Sequence, residues 1–482
     1  MDLSDPATRA AVTSRLAAPL VGRPVIVGPT VLAGATSTVE ALRLLGCPVL
    51  VIATARGAGP VPEDGEVTIV PIVPPEVDSI TDELRMLDRM ARELPAGARA
   101  AVEAFDPDGR GLWWCGPFVT TDEPIDGRPV VFGRPAAFIA LEDKMLADDV
   151  WAGAGVDHPA YAIVENDPDA LAAATAALAG PLGAVWSGDA RDGFNGAGNY
   201  VRWVIDERDQ AGAFAFFGPR CDRVRVQPFL EGVPCSIHGF VLPDGTAALR
   251  PVEIATLRDV GKRHLVYGGV GTTWDPPRRD RDTMRDVVRR VGAHLASAHG
   301  YRGAFGIDGV LSGAGFLPTE LNPRMSAGAT MVADVDRWFF LLLQATLLAG
   351  ADPGVDVADV ESLVPLMDAE RSGRVSAVSQ GPTTVGSDLS FPVRWDGRDF
   401  ARTDGDTDGD TDGETEGGAD GETGDTLVAA DTPTGFFAKV EPCASLTRGT
   451  RLGDLTAGLM RFADREWGSE FGAVEAAPEV RR

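Results

Sequence analysis

Lysine is almost missing from this chain. Only three occur in 482 residues, at Lys144, Lys262 and Lys439, so 41 of the 44 basic residues are arginine. Where arginine supplies the ordinary surface charge, a retained lysine marks a place that wants a compact ammonium, as a phosphate site does. Basic residues of both kinds are outnumbered by 71 acids, for a net charge of -27. That balance, with no basic patch interleaved with aromatics, excludes nucleic acid as a partner. Cysteine is also scarce. Cys47, Cys115, Cys221, Cys235 and Cys443 are odd in number, scattered and without a CxxC pair. This excludes a zinc site or a disulfide framework and suits a reducing, cytoplasmic setting. The first 20 residues carry acids and no long apolar core, so no signal peptide is expected. No uninterrupted apolar run reaches the roughly 18 residues of a membrane span. The nearest, 338-WFFLLLQATLL-348, reads as a buried helix.

What is present is an apolar content of 44% in a chain too long for one core, so several domains are expected. Apolar runs at 24–28, 48–54 and 67–73 alternate with helical patterns at 37–45 and 80–94, and 129–133 closes the region. Such alternation predicts a parallel α/β sheet over residues 1–130. A helix over 137–155 follows, then a strand near 160–165, a helix at 167–179 and a strand at 183–187. Next come the Gly-rich loop 193-GFNGAG-198 and a strand at 199–204. Residues 223–273 read as β structure, and 282–299 and 334–348 as helices. The tract 403–426 is acidic and almost without apolar residues, so it is expected to be disordered. Asp404, Asp406, Asp408 and Gly409 fit the start of a calcium loop, but position twelve is Thr415 rather than Glu, and flanking helices are absent.

The stretch 303-GAFGIDGVLSGAGFLPTELNPRMSAGA-329 holds two apolar segments split by a Gly-rich turn. Acids on both strands of such a ribbon can share a face, which would bring Asp308 and Glu320 together with Asn322 beside them. Two carboxylates and an amide oxygen are hard ligands of the kind Mg²⁺ prefers, and Arg324 adds a fork suited to a phosphate oxygen. A second cluster lies in 248-ALRPVEIATLRDVGKRHLVYGG-269, where Arg250 and Lys262 could neutralise a transferring phosphoryl group. His238, alternating within a β run, reads as structural or surface.

Taken in order, these segments resemble the ATP-grasp ligases. The resemblance rests on 142-EDK-144, 193-GFNGAG-198, the hinge-like 226-VQPFLEGVPCSIHGFV-241, and Asp308 followed by 320-ELNPR-324. It covers residues 130–350, and the first 130 residues look like the small Rossmann-like domain that precedes that fold. The resemblance implies four parts: 1–130 (pre-ATP-grasp), 131–220 and 221–350 (the two ATP-grasp subdomains), and a C-terminal unit at 351–482. It implies ATP binding by Lys144, the loop glycines Gly193, Gly196 and Gly198, and Gln227, Phe229 and Glu231 around the adenosine. Mg²⁺ or Mn²⁺ would be held by Asp308, Glu320 and Asn322, with Arg324, Arg250 and Lys262 in the chemistry.

The implied reaction makes an acyl-phosphate from a substrate carboxylate and joins it to an amine, releasing ADP and phosphate. A biotin-carboxylase-like carboxylase and a non-catalytic ATP-binding protein of the same fold are the alternatives. A homodimer is a further implication. The composition itself resembles that of haloarchaeal proteins. One departure stands out: Trp186 and Ser187 occupy the place where the family carries a second lysine, leaving Arg191 or backbone N–H groups of the loop to replace it.

Overall fold

The computed structural model describes the chain except for residues 64, 66, 78, 197, 333–334, 381–384, 387–388, 404–424, 433–434, 441–448 and 479–482. Its N-terminal region is built on five parallel strands, Thr68–Pro71, Val49–Ala55, Val25–Val31, Leu112–Trp114 and Val130–Val131, in that spatial order. Alternation along Val25–Val31 decides what covers each face. Val25 and Val27 point to one core with Val39 and Leu42 of the helix Leu32–Leu44, whereas Ile26 points to another with Met90, Leu94 and Val102. The first core also takes in the helix Arg337–Leu348, which is apolar on nearly all sides. That helix packs between this sheet and Phe240 and Ala304 of the large sheet, so it has no solvent face to keep polar.

A four-stranded antiparallel sheet follows, in the order Ala162–Glu165, Arg223–Pro228, Ala184–Gly188, Val201–Val204. Its core gathers Trp186, Val224 and Val226 with the helices Pro168–Leu178 and Glu207–Phe217. Asp167 and Asp206 cap these helices by accepting from the first-turn N–H groups, which fixes where each begins.

The third sheet has twelve strands and runs from Gly315–Asn322 through Gly303–Ser312, Gly232–Leu242, Val252–Asp259 and His264–Gly271 to the C-terminal strands, beginning with Gly373–Gln380. The helix Arg278–His299 covers one part through Val287, Val288 and Val291, and the helix Leu452–Trp467 covers the rest. The C-terminal unit thus continues the central sheet rather than building a separate one.

Several expectations need correction. The helix expected over 137–155 is two short helices, Ala136–Ala140 and Ala147–Gly153. Residues 142–144 lie in the turn between them, where the Asp143 carboxylate accepts from Met145 N–H at 3.0 Å. Of the tract 403–426, residues 404–424 lie outside those described, but Asp425 and Thr426 open the strand Asp425–Thr432. Asp425 is buried and pairs with Val393, so the tract is shorter than its composition suggests. Sequence patterning also overlooked the helices Pro6–Ala17 and Ala96–Phe105.

Candidate functional site

The hairpin Gly303–Ser312/Gly315–Asn322 owes its chemistry to one irregularity. From Ser312 opposite Gly315 to Gly309 opposite Pro318 the register is regular, and continued unchanged it would set Asp308 against Thr319. Instead Thr319 is an extra residue, and Asp308 faces Glu320. A one-residue bulge of this kind turns every following side chain to the other face. It sends Leu321 into the core beside Ile307, and puts Glu320 and Asn322 on the face of Asp308. The bulged Thr319 is held at both ends. Its hydroxyl donates to Asp308 O at 3.2 Å, and its carbonyl accepts from Arg225 Nη1 at 3.0 Å.

Onto this floor the turn 142–144 brings two groups. Lys144 Nζ reaches Glu320 Oε1 at 2.6 Å. Glu142 is buried between two guanidinium groups, 2.6 Å from Arg134 and 3.1 Å from Arg324. These two arginines hold its carboxyl below the usual carboxylate range, although burial alone would raise it. Arg324 also donates to Asn322 Oδ1 at 2.8 Å, and Asn322 Nδ2 donates to Asp308 Oδ2 at 2.9 Å. Asp308 behaves oppositely to Glu142. Burial, with the charge of Glu320 second, pushes its carboxyl up to about 6. Two carboxylates pressed together at one face are what a divalent cation relieves, so the donor set fits one. Among the described residues no cluster of three or more His, Cys, Asp or Glu side chains could hold a metal. Mg²⁺ needs fewer, because it keeps water and phosphate oxygens.

The floor opens into a cavity of about 540 Å³ between the large sheet and the four-stranded sheet. Of the residues singled out from sequence, it is lined by Lys144, Gly198, Gln227, Phe229, Asp308, Glu320, Asn322 and Arg324. Gln227 is buried and its Nε2 has no hydrogen-bond partner among the described residues, so the wall carries an orphan donor. Phe229 packs on Trp203 with centroids 4.9 Å apart, beneath the Arg258 guanidinium. An aromatic ring beside an unsatisfied amide suits a flat heteroaromatic base. Gly193 and Gly198 in the Gly-rich loop take positive φ, which only glycine adopts freely.

Other expected residues lie elsewhere. Gly193 and Gly196 face the N-terminal region, where Arg85 donates to the carbonyls of Gly193 and Phe194, and Thr81 Oγ1 donates to Gly196 O at 2.9 Å. Glu231 turns to Arg258 at 2.5 Å, outside the cavity lining. Arg250 is buried against Asp275 and the Trp274 carbonyl, so its charge is already committed. Lys262 sits on an exposed turn and donates to Glu470 O at 2.6 Å. Arg191 does not replace the missing lysine, because it pairs with Asp192 and Asp222 at the surface. Strand alternation explains the departure at Trp186. Val185 and Ser187 face the cavity, whereas Trp186 points into the core and donates to Thr175. Opposite Ser187 stands Arg225, which lines the cavity while gripping Asp148 at 2.5 Å through two nitrogens.

Sequence reasoning missed the roles of Ser236, Tyr267 and Arg374, which line the cavity, and read His238 as structural although it lines it too. Ser236 sits opposite Asp308 on the neighbouring strand, and its spacing of two from His238 was the available signal. Arg374 lies far along the chain with no motif around it. Phe118, in the N-terminal region, stacks on Phe194 of the Gly-rich loop at 4.4 Å and lies under both Arg134 and Arg324.

No protein-family model matches this sequence, and no curated protein does. Solved structures do. The biotin carboxylase domain of the 2-oxoglutarate carboxylase from Hydrogenobacter thermophilus, in complex with MgADP, ADP and bicarbonate, aligns at TM-score 0.52 and 12% identity, over 95% of this chain and 91% of that one. N5-carboxyaminoimidazole synthase from Aspergillus clavatus, with ADP and 5-aminoimidazole ribonucleotide, aligns at 0.51 and 12%, over 92% and 100%. Phosphoribosylamine–glycine ligase from Thermotoga maritima aligns at 0.51 and 14%, over 94% and 98%. At these identities the likeness establishes the fold, which is the ATP-grasp fold.

Proposed function

We propose that this chain is an ATP- and Mg²⁺-dependent ligase that activates a carboxylate as an acyl-phosphate and joins it to an amine. The observation that carries this reading is the bulge-set pair of Asp308 and Glu320, facing one cavity with Lys144 and Arg324. Asp308 and Glu320 would hold the cation, with Asn322 beside them. Bound there, Mg²⁺, or Mn²⁺ in its place, would supply neutralisation of phosphate charge. Gln227 and Phe229 would take the base, and Gly198 would lie over the phosphates. Lys144 would exchange its contact with Glu320 for a phosphate oxygen. Arg225, beside Ser187, is already taken up by Asp148 and the Thr319 carbonyl, so it would not supply a second cation. Arg324, steadied by Glu142 and by Phe118, would hold the acyl-phosphate oxygen. The chain's share of catalysis is then positioning and charge neutralisation rather than proton transfer by a triad.

The likeness to structures that carry ADP supports this reading at the level of fold. The division into parts near residues 130, 220 and 350 belongs to the same reading, as do a homodimeric state, a cytoplasmic site and a haloarchaeal source, which the acidic composition supports. No described helix is long and apolar enough to cross a membrane. The test is ADP release in molar KCl with Mg²⁺, across a panel of carboxylates with amines and, separately, bicarbonate. Release that needs both a carboxylate and an amine is expected. Release with bicarbonate alone would favour the carboxylase alternative. Nucleotide binding with no release under any condition would favour a non-catalytic protein.

A further inference from the structure

A second cavity, about 820 Å³, lies on the far side of the Gly-rich loop and meets the first at Gly198, Leu265 and Tyr267. Its wall holds two guanidinium groups against one ring. The Arg202 guanidinium carbon lies 3.6 Å from the Phe216 centroid, and that of Arg220 lies 4.6 Å from it. In a chain of net charge -27 an arginine ordinarily finds a carboxylate. These two have none among the described residues. Arg202 donates only to the carbonyls of Asn199 and Val201, and Arg220 to that of Phe216.

Three of the four acids of the same wall are engaged elsewhere, and the fourth, Glu470, is exposed. Asp82 pairs with Arg85 at 3.3 Å, Asp192 with Arg191 at 3.0 Å, and Asp259 accepts from Lys262 N–H at 2.8 Å. Burial, with the charge of Arg220 second, pulls the Arg202 guanidinium down to about 10, an electrostatic debt that an anion would relieve. Lys262 and His264 line the same cavity.

We propose that this cavity binds a small oxyanion, a phosphate or carboxylate group, between Arg202 and Arg220. Guanidinium forks match such groups in pairs of parallel hydrogen bonds, and both lie against the one ring. The site does not depend on the ligase reading. It touches the Gly-rich loop at Gly198, which lines it, and Arg202 bonds the carbonyl of the next residue, Asn199.

The test is calorimetric titration of the full chain with inorganic phosphate and, in a second arm, with succinate. Ionic strength is held constant with KCl. Saturable binding of either ligand is expected, weakened at least tenfold by Arg202→Gln and by Arg220→Gln. Arg220 is exposed, so its variant keeps the test sound if Arg202→Gln fails to fold. Saturable heat that survives both variants and disappears in Lys144→Met would place the anion in the first cavity and overturn the proposal. Absence of saturable binding in both arms would overturn it as well.

Discussion

Lys144 Nζ lies 2.6 Å from Glu320 Oε1, so the ammonium of the 142–144 turn is committed to the carboxylate that faces Asp308. Lys144→Met should therefore do two things. It should cut ADP release by about 100-fold or more, because one charge aimed at the phosphoryl group is lost. It should also destabilise the nucleotide-free protein, because Glu320 then stands beside Asp308 uncompensated. Glu320 is 30% exposed, so the coupling should be small, about 1 kcal/mol in a double-mutant cycle with Glu320→Gln. A cycle showing no coupling would mean that the two side chains do not meet in solution.

Asp308→Asn tests the like-charge pair. Burial and the charge of Glu320 push the Asp308 carboxyl up to about 6, above the roughly 3.9 of an unfolded chain. Between those values the folded state binds the extra proton, so stability falls as pH rises. At pH about 8 the charged form is the strained one. The amide should then raise the melting temperature of the metal-free protein by about 2–4 °C. The same substitution should abolish Mg²⁺-dependent ADP release. A lower melting temperature at that pH would contradict the like-charge reading.

Much of this was legible in the sequence, and the limits are instructive. The parallel N-terminal sheet followed from apolar runs alternating with helical periods. The buried helix Arg337–Leu348 followed from its uniform apolarity. Asp308, Glu320 and Asn322 were singled out as sharing a face, but the cause was hidden. Spacing alone, with the two-residue turn at Gly313–Ala314, sets Asp308 opposite Thr319; a bulge is a tertiary decision, taken here with the help of Arg225. Arg250 and Lys262 misled for a related reason. A string of cations reads the same whether it faces a cavity, a half-buried carboxylate or an exposed turn. The positions Val185 and Ser187, rather than Trp186, became the relevant ones only once strand alternation was fixed.

His238 should give a pH signature of opposite sign. Burial, with the charge of Arg324 second, pulls its ring down to about 3, and Nδ1 has no hydrogen-bond partner among the described residues. A methyl group at Gly306 would stand 2.9 Å from the ring, so no room remains for a counter-charge on that side. In the unfolded chain the ring titrates near 6.5. The neutral ring therefore contributes stability that is present above about 6.5 and is lost as pH falls toward 3. The slope corresponds to one proton, at most about 1.4 kcal/mol per pH unit. Denaturant melts between pH about 4 and 7 should show a shallower loss in His238→Leu. Parallel curves for the two proteins would show that the ring is solvated or paired.

Deleting Thr319 is the sharpest test of the site, because it removes the bulge without removing any charged group. With Glu320 then following Pro318 directly, a regular ladder past Gly309 opposite Pro318 still sets Glu320 against Asp308 and Leu321 against Ile307. Asn322 stays opposite Gly306, on the face of Asp308. What the deletion removes is the carbonyl that Arg225 holds, the hydroxyl bond to Asp308 O and the local twist of the bulge. The expected result is a protein that folds, melts lower and keeps Mg²⁺-dependent ADP release at a reduced rate. Thr319→Ser keeps the extra residue and the hydroxyl bond to Asp308 O, and should retain both stability and activity. Complete loss of ADP release in a folded deletion variant would show that the bulge itself, and not only the pairing around it, sets the site.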